Sequence, residues 1–130
     1  MTGRAGPKYL PGDLTPEADT ERMIRVDHAG EYGAVRIYAG QMAILKRTPE
    51  APVIREMAAQ EDEHLDRFNR MIAERRVRPT AFTPIWHIGG YLLGAGTALL
   101  GPKAAMACTV AVEEVIDDHY GAQAERLGDR

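Results

Sequence analysis

One segment decides most of what this chain can fold into. From Ile54 to Ile72 the apolar residues recur three and four apart, at Ile54, Met57, Ala58, Leu65, Phe68, Met71 and Ile72. That spacing lays them along one face of a helix. Glu61 and His64 fill slots in the same stripe, whereas Arg55, Glu56, Gln60, Asp62, Glu63 and Asp66 fall on the outward face. A carboxylate and an imidazole one turn apart on a core-facing stripe is how a helical bundle presents metal ligands.

Two further segments repeat the pattern. Thr15-Pro16-Glu17 is a helix start, with Thr as cap, Pro at the first helical position and an acid in the first turn. This first helix is expected to end near Lys46, with a core stripe of Ile24, His28, Glu31, Val35, Tyr38, Met42 and Leu45. Ala29, Gly33 and Gly40 form a second face. A helix-interior glycine costs about 1 kcal/mol relative to alanine, so close packing against a neighbour is the reason to expect. Thr48-Pro49-Glu50 repeats the start signal for the second helix, which should end near Arg76 and pair antiparallel with the first across a short connection. From Pro102 to Leu127 helical spacing returns. Met106, Thr109, Glu113, Ile116, Tyr120, Gln123 and Leu127 share one face, while Glu114 sits with Asp117, Asp118 and Gly121. Of the two adjacent acids, Glu113 is therefore the interior candidate.

Between these helices, residues 77–101 change character. Arg75, Arg76 and Arg78 lead into Pro79, Pro84, Trp86 and a glycine-rich apolar run. The reading is a long apolar crossover containing one short or broken helix, serving either as an interfacial anchor or as a buried hairpin over the bundle end. Its most apolar stretch, residues 84–100, is shorter than the roughly 20 residues a spanning helix needs. Residues 1–14 read as an irregular leader without a secretory h-region, and residues 15–130 as a single all-α domain. A net charge of −3 gives no reason to expect nucleic acid. The single cysteine, Cys108, permits no internal disulfide, which fits a reducing compartment, and its apolar neighbours favour a packed thiol over a nucleophile.

Three predicted helices thus each place acid in a core stripe: Glu31, Glu61 with His64, and Glu113. Desolvating one such ion costs several kcal/mol unless something neutralises it. An all-protein salt-bridge network is one solution and a metal the other. Ferritin-like di-iron bundles take one Glu from each of two helices and a Glu-x-x-His pair from each of two more. Carboxylate oxygen with imidazole nitrogen suits iron or manganese, and the lack of thiolates argues against structural zinc. His28, one turn before Glu31, reads as a packed or supporting histidine. His119 and Tyr120 either pack in the core or line a substrate cavity, and Asp27 is a candidate to orient an imidazole.

These residues resemble a known family. His28-Ala29-Gly30-Glu31-Tyr32-Gly33-Ala34, Glu61-Asp62-Glu63-His64, Gly94-Ala95-Gly96-Thr97-Ala98-Leu99-Leu100-Gly101 and Ala107-Cys108-Thr109-Val110-Ala111-Val112-Glu113-Glu114 are similar to the demethoxyubiquinone hydroxylases of coenzyme Q biosynthesis. The resemblance covers residues 20–127 and implies a ferritin-like di-iron monooxygenase. Such an enzyme hydroxylates the ring of a polyprenyl benzoquinol with O2 and two electrons, drawn from NADH or a reductase. It implies two iron ions, with Glu31, Glu61 and His64 on one, Glu61 bridging and Glu113 on the second. It places His119 and Tyr120 near the quinone. It implies peripheral attachment to the cytoplasmic side of the inner membrane, and as partners a second copy or another coenzyme Q biosynthesis protein.

The family's order is Glu, Glu-x-x-His, Glu, Glu-x-x-His, and no second pair follows Glu113 within the 130 residues. Four ligands stand where the family has six, so the expectation is a bundle lacking its last ligand helix, with weak or single-iron binding and little activity, or one completed by another chain. Two other functions compete. A ferroxidase or rubrerythrin-like peroxidase needs no apolar crossover, and a non-catalytic prenyl-quinone-binding bundle needs no metal.

Overall fold

The computed structural model describes residues 11–127 and consists, among them, of four helices. The helix α1 runs over Pro16–Leu45, α2 over Ala51–Arg75, α3 over Thr83–Leu99 and α4 over Pro102–Leu127. Most of the expected leader lies outside the described residues, and 11–15 form a turn and extended entry.

Thr15 caps α1 as its sequence dictates, its backbone extended and its hydroxyl accepting the Ala18 N–H at 3.1 Å. Pro16 follows at the first helical position. The second start signal works differently. Thr48 donates its hydroxyl back to the Leu45 carbonyl at 2.7 Å, closing α1, and α2 starts at Ala51 with no side-chain cap. At the other end of α2, Arg76 adopts a left-handed conformation (φ 54°), and Val77 turns inward with its N–H on the Ile72 carbonyl.

The helices alternate in direction. Side-chain pairs along α1 fix this: His28 meets Asn69 of α2, Gly33 faces Trp86 and Gly40 faces Tyr91 of α3, and Gln41, Tyr38 and Asp27 meet Thr109, Glu113 and Gln123 of α4 in turn. So α1 lies antiparallel to α2 and α4 and parallel to α3. It packs against all three, which is why it is buried on most of its circumference. The core joins Ala34, Tyr38, Leu45, Ile54, Ala98 and Ala105, flanked by Met42, Met57, Met106, Val112 and Ile116.

The crossover departs from expectation. It is not a short or broken helix but 17 unbroken residues, and it lies along the side of α1 rather than over the bundle end. The glycines are the reason. A Cβ on Gly94 would collide with the Ile37 carbonyl, one on Gly40 with the Tyr91 carbonyl, and one on Gly90 would stand 2.9 Å from Arg36 Cβ. Spaced four apart, Gly90 and Gly94 form a stripe without side chains that lets two backbones meet. The gain in close packing outweighs the local preference of glycine against helix. The opposite face of α3 stays apolar and exposed, at Ile85, Ile88, Leu92 and Leu99. No helix among the described residues is long and apolar enough to cross a membrane.

Candidate metal centre and its cavity

The first, second and fourth helices converge on one cluster of acids. Glu31 is 1% exposed and Glu61 3%, each held inward by its place in a core stripe. His64 lies one turn beyond Glu61, and its Nδ1 stands 3.6 Å from Glu61 Oε2 and 3.7 Å from Glu31 Oε2. A ligand atom from each of the three lies within 4.8 Å of the others, the arrangement a single cation needs. Glu113 stands beside this triad rather than in it. Its Oε1 accepts the Tyr38 hydroxyl at 2.7 Å, and its carboxyl is near enough to act on Glu61.

The electrostatics of the cluster are unfavourable for protein alone. Burial, with the Glu31 and Glu113 carboxyls alongside, drives the Glu61 pKa far above the ordinary carboxylate range. Glu31 Oε2 and Glu61 Oε2 are both buried with no hydrogen-bond partner. Lone pairs left bare in a core cost about 1–3 kcal/mol each or more when charged. A divalent cation relieves both defects at once, coordinating the free oxygens and replacing the proton on Glu61. The residues present therefore fit a metal, and the oxygen-rich donor set with one imidazole fits iron or manganese.

Tyrosines tie the acids to the fold. The Tyr120 hydroxyl donates to Glu31 Oε1, and Tyr38 to Glu113. Burial and these acids push both phenols well above their usual range, so they remain O–H donors. The Tyr120 ring stacks on Phe68 of α2 at 6.3 Å, bridging α2 and α4, whose backbones do not otherwise approach. That gap leaves the His64 side chain 46% exposed, so the stripe that placed it correctly on the helix overstated its burial.

His28 is not in the cluster. Its Nε2 pairs with Asn69 Oδ1 at 2.8 Å and its ring faces Tyr32, a packed histidine spanning α1 and α2. Asp27 does meet an imidazole, but that of His119 rather than of its neighbour His28. Its Oδ1 lies 3.4 Å from His119 Nε2 and accepts from Gln123 Nε2 at 2.7 Å. Burial raises the Asp27 pKa to about 6, against the lowering effects of Gln123 and His119. Gln41, fully buried, ties α1 to the Ala105 carbonyl and Thr109 hydroxyl of α4. The stripe read from spacing passes through Met42 rather than Gln41, so spacing alone missed it.

On the other side of Glu31 lies a cavity of about 1160 Å³ between α1, α3 and α4. Small residues make its room: Ala29, Gly30, Gly33 and Ala34 on α1, Gly89 and Gly90 on α3, and Ala104, Ala107 and Ala111 on α4. Apolar side chains including Trp86, Leu93 and Val115 line it, and Cys108 is part of its wall. Its ionisable groups include Glu31, Asp27, His119 and Tyr120. Glu31 thus borders both the acid cluster and the cavity.

The sequence has known relatives. Residues 18–130 match the family model described as ubiquinone biosynthesis protein COQ7. A 3-demethoxyubiquinol 3-hydroxylase of Rhodospirillum rubrum is 59% identical over 121 residues, covering 92% of this chain and 57% of that protein. The NADPH-dependent 3-demethoxyubiquinone 3-hydroxylase, mitochondrial, of Homo sapiens is 58% identical over 115 residues, covering 88% of this chain and 53% of its own length. The 5-demethoxyubiquinone hydroxylase, mitochondrial, of Saccharomyces cerevisiae is 50% identical over 112 residues, 85% of this chain and 48% of the relative. The chain spans about half the length of the curated relatives it matches. A model matched across nearly the whole sequence and identities at this level lead to one conclusion: the chain belongs to the ubiquinone biosynthesis protein COQ7 family.

Proposed function

We propose that this chain carries the metal core and the quinol cavity of a demethoxyubiquinol hydroxylase. The observation that carries the reading is the shared wall: one buried carboxylate, Glu31, borders both a cation-ready cluster and a large apolar cavity. Two relatives are named as acting on demethoxyubiquinone with NADPH or on demethoxyubiquinol, and a cavity built from small residues suits a substituted ring with an isoprenoid tail. A ferroxidase has no use for such a cavity, and a purely lipid-binding bundle has no use for three buried acids.

In this reading Glu31, Glu61 and His64 would hold a first iron, with Glu113 beside them to serve a second. Iron bound there would supply the activation of dioxygen. The balance is one ring C–H, O2, two electrons and two protons giving ring C–OH and water, with a reduced nicotinamide as donor. The chain's own residues do the rest. Apolar walls keep water from the ring. Tyr120 fixes the Glu31 carboxylate through its hydroxyl, and Tyr38 does the same for Glu113. The exposed apolar face of α3, preceded in the chain by Arg75, Arg76 and Arg78, is where a membrane surface supplies the substrate.

The test is an assay of the chain with ferrous iron, reduced nicotinamide, O2 and a short-tailed demethoxyquinone, read by mass spectrometry. A low yield of product one oxygen heavier, absent with Glu61→Gln, is the expected result. A quinone that binds in the cavity but is never oxygenated, with iron bound, contradicts it.

A further inference from the structure

Asp27, Gln123 and His119 form a polar group beside the cavity that the acid cluster does not use. Gln123 Nε2 lies 2.7 Å from Asp27 Oδ1 and 2.9 Å from His119 Nε2, and His119 Nε2 lies 3.4 Å from the same Asp27 oxygen. Asp27 is 8% exposed and Gln123 7%, so both are held by packing. The His119 side chain is 46% exposed and faces the cavity.

The chemistry of the three groups fixes where the proton sits. An ionised carboxylate only accepts hydrogen bonds, so the Gln123 amide must turn its NH2 toward Asp27. The second N–H of that NH2 then lies against His119 Nε2. A protonated Nε2 would set two donors against each other at 2.9 Å, so Nε2 accepts and the imidazole carries its proton on Nδ1. We infer that Asp27 and Gln123 are positioning residues that lock His119 as the Nδ1–H tautomer, so that it offers a hydrogen-bond donor to a ring oxygen of the quinol. The second half rests on the hydroxylase reading; the lock itself does not. It also gives Asp27 a use, since a buried acid paired through an amide is otherwise a cost to the fold.

The experiment reads the lock without any ligand. In protein labelled with 15N-histidine, the protonated and bare ring nitrogens have well-separated shifts, and four histidines make the spectrum assignable with a His119→Gln variant. The wild type is expected to show His119 protonated on Nδ1. Gln123→Met keeps the side-chain length but removes the donor, and Nε2 should then take the proton and give it to Asp27. Asp27→Asn, which removes the anion that orients the amide, should yield a mixture of tautomers and serves if the first variant does not fold. A wild-type proton on Nε2, or variants with the wild-type spectrum, overturns the inference. Titration with a short-chain methoxybenzoquinone, against a prenylbenzene lacking ring oxygens, then reads the ring contact. Gln123→Met should weaken the quinone alone, about three- to tenfold. Equal effects on both ligands overturn the ring contact while the tautomer stands, and failure of the wild type to bind either counts against the hydroxylase reading instead.

Discussion

At the scale of single residues, Glu61 shows how a site can oppose the stability of its own fold. It is buried between two other carboxyls, and without a cation it holds a proton that an ordinary glutamate would release. Replacing it with glutamine removes the conflict. Glu61→Gln should stabilise the metal-free chain at neutral pH by roughly 1–4 kcal/mol and abolish the rise in melting temperature that ferrous iron produces. A variant that melts lower yet still responds to iron contradicts that account. Asp27 gives a second test, through pH. Its folded pKa of about 6 exceeds the ordinary 3.8, so between those values the folded chain holds a proton the unfolded chain has lost. Stability therefore falls as pH rises through that window. Denaturant titrations of the metal-free protein from pH 4 to 7 should show this fall, made shallower by Asp27→Asn. The residues of the cluster were legible in the sequence because Glu31, Glu61, His64 and Glu113 each break an apolar stripe. The pairing of Asp27 with His119 was not, since helical spacing orders neighbours on one helix and says nothing of contacts between helices.

At the scale of elements, the α1–α3 seam separates glycines that let the two backbones meet from glycines that do not. Gly94 and Gly40 face backbone carbonyls at distances no Cβ tolerates, whereas Gly96 and Gly89 have nothing within 4 Å. Gly94→Ala should cost about 1–3 kcal/mol through overpacking. Gly96→Ala should instead gain up to about 1 kcal/mol from helix propensity. Thermal melts of the two side by side check both signs, and a neutral Gly94→Ala would mean the helices do not touch as described. The same seam explains why the crossover misled the sequence reading. Glycine disfavours helix locally, and only the partner backbone at Ile37 and Tyr91 converts that preference into close packing. Helix ends were more readable where a cap acts locally, as at Thr15, than at Thr48, whose hydroxyl turns back to the preceding helix.

At the scale of the whole molecule, three features point the same way. The acid cluster lies at the meeting of α1, α2 and α4, the cavity lies between α1, α3 and α4, and α3 presents apolar side chains outward. Ile88 and Leu92, 60% and 62% exposed, are the residues to change. The double variant Ile88→Glu, Leu92→Glu should lose co-sedimentation with anionic lipid vesicles while keeping its melting temperature, and unchanged binding would place the membrane contact elsewhere. If these acids are a metal site joined to the cavity, ferrous titration of the anaerobic chain, with sizing in the same run, will read it. Bound iron is expected in the wild type and its loss in Glu61→Gln and His64→Ala. Iron retained equally by all three, or by none, would contradict it.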